Sequence, residues 1–180
     1  MQQTVTDKYG RLFKTLRVSL LNRCNLSCVY CTMGADDVKE NVHATPALSS
    51  QGLLAIIQQL HSVLQLQTIR LTGGEPLLYH YLNDIIKGIK DMGIPEIKLT
   101  TNGFLLERMA KPMKDAGMSS INVSLDAVDE DVFFLMAKRN HLQKVLNGID
   151  AALNAGLEVK INAVIMKGIN ESQVLPLLEY

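Results

Sequence analysis

The sequence predicts an α/β domain built on a parallel sheet. Short β-rich runs alternate with amphipathic helical stretches along the chain, and parallel strands need such crossover connections. Glycines stand just past three of the helical stretches, at 93, 117 and 156, where a left-handed C-terminal residue is expected. The most distinctive motifs follow strands directly, at the C-terminal edge of the sheet, where parallel α/β folds place ligands.

The first strand is expected at 16–21, followed by a segment that holds all three cysteines. A helix is predicted over 49–65, with Ser49 and Ser50 as caps, because hydroxyls accept from the free N–H groups of a first turn. The second strand, 68–72, runs into Gly73-Gly74-Glu75-Pro76, and a helix follows over 81–92 with Asn83-Asp84 near its start. Strand 97–101, helix 104–116, strand 121–125, helices 129–138 and 142–155, and strand 159–164 complete the alternation. A last helix starts near Glu171. Five strand–helix units fit an open doubly wound sheet or part of a barrel; a complete eight-unit barrel takes about 250 residues. No linker or composition break divides the chain, so one domain is expected over 1–180. The final Val174-Leu175-Pro176-Leu177-Leu178-Glu179-Tyr180 reads as a helix still in progress, so the expectation is the N-terminal portion of a longer protein.

Composition narrows the function. Hydrophobic residues make up 47% and charged residues 20%, which suits a packed globular domain. Eighteen Lys and Arg balance eighteen Asp and Glu, so the chain lacks the basic excess of a phosphate-backbone binder and no nucleic-acid partner is expected. No apolar run reaches membrane-span length and the first residues lack a signal-peptide pattern, so a cytoplasmic protein with no membrane partner is expected. Three cysteines within eight residues are no disulfide framework and point to a metal or cluster.

Cys24-Asn25-Leu26-Ser27-Cys28-Val29-Tyr30-Cys31 has the spacing C-x3-C-x2-C. Three thiolates on one loop can hold three corners of an iron–sulfur cube and leave one iron open to an external ligand, whereas the fully ligated cube takes four. The alternative is structural zinc with His43 or His61 as fourth ligand, although such sites more often pair two C-x2-C-type elements.

Strand periodicity supplies a second signal. Arg17 and Ser19 share a face, as do Arg70 and Thr72, Asn122 and Ser124, and Lys160 and Asn162, with Thr100 or Asn102 on the third strand. Burying these groups without partners would be costly. A polar ligand satisfies them, and the cations Arg17, Arg70 and Lys160 point to an anionic one. The alternative is that these cations pair with Glu75, Asp126 or another acid inside the fold.

The cysteine spacing with an aromatic before the last cysteine, together with Gly73-Gly74-Glu75, resembles the radical S-adenosylmethionine (SAM) superfamily. The resemblance implies an incomplete (βα)6 partial barrel, a [4Fe-4S] cluster on Cys24, Cys28 and Cys31, and SAM as cofactor. Within it, Asp7-Lys8-Tyr9-Gly10-Arg11, Ile69-Arg70-Leu71-Thr72-Gly73-Gly74-Glu75-Pro76, Leu99-Thr100-Thr101-Asn102-Gly103, Ile121-Asn122-Val123-Ser124-Leu125-Asp126, Val159-Lys160-Ile161-Asn162-Ala163-Val164 and Lys167-Gly168-Ile169-Asn170 resemble the GTP 3′,8-cyclase family of molybdenum cofactor biosynthesis. By that resemblance Tyr30, Gly73, Gly74, Glu75 and Ser124 line the SAM site, and Arg17, Arg70, Thr100 and Lys160 face GTP. It implies a lyase: an adenosyl radical takes hydrogen from the ribose C3′, the carbon attacks C8 of guanine, and a reductant feeds the cluster.

Departures concern Leu21-Asn22 before the first cysteine and Tyr79-His80-Tyr81 after the glycine motif, which alter local loop contacts. The family also carries a second cluster on three further cysteines that holds the guanine; this chain has none beyond Cys31 and shows no sixth strand. The expectation is that this chain alone is not fully competent. Strand 159–164 is expected to leave an apolar edge that favours self-association, in the simplest case a homodimer. The remaining alternatives are another radical SAM activity, such as peptide modification, and a non-catalytic metal-binding module.

Overall fold

The computed structural model describes residues 5–31 and 48–180. His43 lies outside them. Five strands form one parallel sheet in the order β1-β2-β3-β4-β5: β1 Thr15–Ser19, β2 Thr68–Thr72, β3 Glu96–Thr101, β4 Ser120–Ser124 and β5 Glu158–Asn162. The connecting helices are α1 Ser50–Leu64, α2 Leu82–Asp91, α3 Leu106–Ala116, and α4 Glu130–Ala137 with α5 Leu142–Asn154. A 3-10 turn at Glu171–Gln173 leads into α6, Val174–Glu179. Sequential strand order with a helical crossover at each step is the arrangement of a partial barrel; a doubly wound sheet would reverse its order at a switch point.

Local chemistry accounts for the helix ends. Ser49 caps α1, its hydroxyl accepting from Gly52 N–H at 3.1 Å. Gly93, Gly117 and Gly156 have φ of 79°, 113° and 75°. Asn83 and Asp84 lie in the first turn of α2, but Tyr81 precedes that helix with no side-chain cap, and Asn83 Oδ1 is buried without a partner.

The sheet has two unlike faces. Leu16 and Val18, Ile69 and Leu71, Ile97 and Leu99, and Ile121 and Val123 lie on one face and join the hydrophobic core. On α2, α3 and α5, residues Ile85, Ile86, Ile89, Met113, Val145 and Ile149 bring their buried faces to the same core. The alternate residues are polar on every strand. Register places Arg17 beside Arg70 and Arg70 beside Lys98, and Thr100 beside Asn122 and Asn122 beside Lys160. A packed barrel interior would be filled with branched apolar chains, and this face departs from that pattern on all five strands.

Strands β1 and β5 stop two residues short of the expected ends. Leu20 and Leu21 leave the sheet where β2 ends at Thr72, and Ala163 and Val164 leave where β4 ends at Ser124. The edge at β5 is less apolar than expected: Glu158, Lys160 and Asn162 are exposed, and Glu158 pairs with Lys160 at 3.4 Å. Charges on an edge strand oppose pairing with another chain. Among the described residues, no helix is long and apolar enough to cross a membrane.

Candidate active site

The cysteine loop is held by backbone bonds on two sides. Leu20 N–H donates to Thr72 C=O, Gly74 N–H to Leu21 C=O and Glu75 N–H to Arg23 C=O, at 2.8–2.9 Å. Ser27 and Val29 N–H donate to the carbonyls of Ala137 and Met136 at 3.2 and 2.9 Å. Those carbonyls end α4 and lack helical partners, so loop and helix terminus satisfy each other.

The two glycines meet protein backbone. A Cβ on Gly74 would stand 2.1 Å from Arg23 O, and one on Gly73, at φ 151°, 2.5 Å from Leu21 O. The motif therefore lets the loop after β2 lie directly against the cysteine loop.

Cys24 and Cys28 are half-buried and Cys31 is exposed. Burial pushes the Cys28 thiol up to about 11, with the Asp126 carboxylate adding to it, and burial also raises Cys24. Among the described residues no three His, Cys, Asp or Glu side chains are grouped to hold one metal ion. A tetrahedral zinc needs ligands converging at about 2.3 Å on a point, whereas a cube carries each thiolate on its own iron. His61 lies on α1 with Nδ1 buried and unpartnered, outside any such group. Asn25 Nδ2, beside Cys24, is a buried donor without a protein partner. Three thiols on one loop with an unused donor beside them fit an acceptor-rich cluster.

Glu75 is held through its carboxylate by protein donors. It is 0% exposed, and its carboxylate accepts from Leu77 N–H at 3.0 Å, Thr101 hydroxyl at 2.6 Å and Asn102 N–H at 2.8 Å. Burial pushes its pKa up, against three donors that favour the ionised form. Glu75→Gln turns one accepting oxygen into a donor that faces other donors. It is expected to cost about 1–3 kcal/mol, seen as a lower melting temperature with unchanged far-ultraviolet circular dichroism at 20 °C.

A second polar assembly ties the cysteine loop to β4 and β5. The Tyr30 hydroxyl donates to Asp126 Oδ2 at 2.7 Å, and burial with that carboxylate raises its pKa. Val164 N–H donates to Asp126 Oδ1 at 2.8 Å, and Asn170 Nδ2 donates to the carbonyls of Asp126 and Val164 at 2.8 and 2.9 Å. Asp126 is thus engaged by Tyr30 and backbone, not by a cation.

Neither Glu75 nor Asp126 pairs with the strand cations. Lys160 pairs with Glu158, and Lys98 with Glu96 at 2.9 Å. Among the described residues Arg17 and Arg70 form no salt bridge; Arg17 is exposed and Arg70 half-buried. Thr100 and Ser124 are half-buried on the same polar face, Thr100 beside Asn122 and Ser124 beside Asn162. Lys98 was not among the expected residues, yet it extends the Arg17–Arg70 row across a third strand. Its parity with Thr100 carries that signal in the sequence. The departures after the glycine motif pack locally: Tyr79 is buried and meets exposed Tyr81 edge-on at 6.1 Å.

A parallel βα sheet in sequential order, with a three-cysteine loop after β1 against a Gly-Gly-Glu loop after β2, is a radical SAM core. The sequence pattern of the radical SAM superfamily matches residues 18–180, and the chain belongs to that superfamily, whose members use a [4Fe-4S] cluster and SAM. It is 42% identical over 184 residues to a GTP 3′,8-cyclase of Corynebacterium glutamicum, covering 99% of this chain and 48% of that one. It is 42% identical over 183 residues to a GTP 3′,8-cyclase of Campylobacter lari, covering 98% and 54%. The chain therefore spans about half the length of the curated relatives it matches. In fold it resembles Streptococcus suis SuiB, with a TM-score of 0.74 at 17% identity over 93% of this chain and 36% of that one. It also resembles anSMEcpe with bound AdoMet, with a TM-score of 0.71 at 17% identity over 92% and 48%.

Proposed function

We propose that this chain is the SAM-cleaving, triphosphate-facing part of a GTP 3′,8-cyclase of molybdenum cofactor biosynthesis, a lyase acting in the cytoplasm. The observation that carries this reading is the polar sheet face, on which Arg17, Arg70 and Lys98 stand in register across three neighbouring strands. Its similarity to GTP 3′,8-cyclases along almost its whole length supports the same reading. Cys24, Cys28 and Cys31 would hold the [4Fe-4S] cluster, which would supply the electron for reductive cleavage of SAM.

The chain's own residues bind and orient. Tyr30, Gly73, Gly74 and Ser124 border the SAM site. Glu75 serves it indirectly by fixing the loops after β2 and β3 to each other. Arg17, Arg70, Thr100 and Lys160 face GTP, with the cations on its phosphates. Arg suits that task because its planar fork matches phosphate geometry and it keeps its charge at any working pH.

Arg17→Ala and Lys160→Ala are each expected to weaken GTP binding, measured by anaerobic calorimetry, while formation of 5′-deoxyadenosine from SAM persists. A charge-assisted bond to phosphate is worth about 1.5–3 kcal/mol, roughly ten- to a hundredfold in affinity. Unchanged GTP affinity in both variants would overturn the assignment of this face to GTP.

A further inference from the structure

We propose that Asn102 is a positioning residue for the cluster, donating an N–H to the Cys24 sulfur and raising the cluster's reduction potential. This rests on the reading that Cys24, Cys28 and Cys31 hold the cluster. Asn102 is the first residue after β3, and its position is fixed from three directions. Its backbone N–H donates to Glu75 Oε2 at 2.8 Å. Its Oδ1 accepts from Phe104 N–H at 3.1 Å, which settles which end of the amide is oxygen. Its Nδ2 is thereby turned to the cysteine loop, where it donates to Asn25 Oδ1 at 2.8 Å and reaches Cys24 Sγ at 3.6 Å.

The sulfur also receives Leu26 N–H at 3.4 Å. Cys24 thus sits under two N–H donors, one from its own loop and one from across the sheet. The path runs from buried Glu75 on the second loop, through Asn102 on the third, to Cys24 on the first. Reduction adds negative charge to a cluster, and hydrogen bonds to its sulfurs stabilise that charge; they are a recognised determinant of potential. Removing the Asn102 donor therefore makes reduction harder without removing a ligand. A carboxylate at this position does so more strongly, since it adds an acceptor and a charge of the wrong sign.

The test uses the whole chain, reconstituted anaerobically with iron and sulfide, as wild type, Asn102→Ala and Asn102→Asp. Midpoint potentials are read by EPR-monitored titration. The expected result is equal iron and sulfide loading, with the midpoint moved to more negative potential in N102A and further in N102D. Equal midpoints at equal loading, even with lowered melting temperatures, would show a structural role alone and overturn the proposal. Should the variants not load, the wild type still decides. Labelled with asparagine carrying nitrogen-15 at the side-chain amide, its reduced cluster is expected to show a weakly coupled nitrogen in pulsed EPR, and no such coupling would overturn the proposal. Failure of the wild type to take up iron would be distinct from either result and would overturn the cysteine reading together with this one.

Discussion

Cys28→Ala is expected to abolish iron and sulfide uptake, from about four of each per chain to background after anaerobic reconstitution. Cys28 is the middle of three thiols on one loop, and the chain has no fourth cysteine to replace it. The variant should still fold, because Cys28 is only half-buried and the loop is held by backbone bonds through Ser27 and Val29. Colorimetric iron and sulfide analysis with the visible absorption of the cluster gives the readout. Retention of a full cluster would show that Cys28 is not a ligand.

Gly74→Ala is expected to be the most destabilising single-methyl change at the site. The added carbon would fall 2.1 Å from Arg23 O, inside any van der Waals contact, and the obstacle is backbone that the Gly74 and Glu75 N–H bonds hold in place. Overpacking costs about 1–3 kcal/mol and occasionally more. At about 2–4 °C per kcal/mol for a chain of this size, the melting temperature should fall on the order of 5–10 °C. The two loops should also separate, so iron loading should drop with stability. Gly93→Ala is the comparison: its Cβ meets nothing within 4 Å, but its φ of 79° still carries a strain cost. A melting temperature for Gly74→Ala no lower than that of Gly93→Ala would contradict the packing described.

The parallel fold and the polar sheet face were legible because both rest on local periodicity. Arg17, Arg70 and Lys160 declare themselves by alternating with apolar neighbours, and Ser49 and the glycines after the helices by residue type. What was not legible depends on contacts between distant segments. The Gly-Gly pair reads as room for a ligand, yet the neighbours it admits are Leu21 and Arg23, about fifty residues earlier. Glu75 reads as a charge offered to a ligand, but its partners Thr101 and Asn102 lie on another strand and its loop. At β1 and β5 the apolar pattern of Leu20-Leu21 and Ala163-Val164 runs past the regular ladder, which ends at the Ser19–Thr72 and Ser124–Asn162 pairs. Lys98 shares the parity of Thr100 on the third strand, so the same alternation marks it. Asn83 stands in the first turn of α2 as its position predicts, whereas the burial of its Oδ1 beside an uncapped turn is a matter of tertiary packing.

The alternation of side chains along the five strands has a consequence for how such a protein can diverge. Residues 18, 71, 99, 121 and 123 look toward the helices, while 17, 70, 98, 122 and 160 look away from them. Folding and recognition are thus written on interleaved positions of the same strands, like two messages sharing one line. A lineage could rewrite what the polar face accepts by changing every second strand residue, with the hydrophobic message left intact. Broad chemical variety on one scaffold then needs no new architecture, only edits confined to one parity.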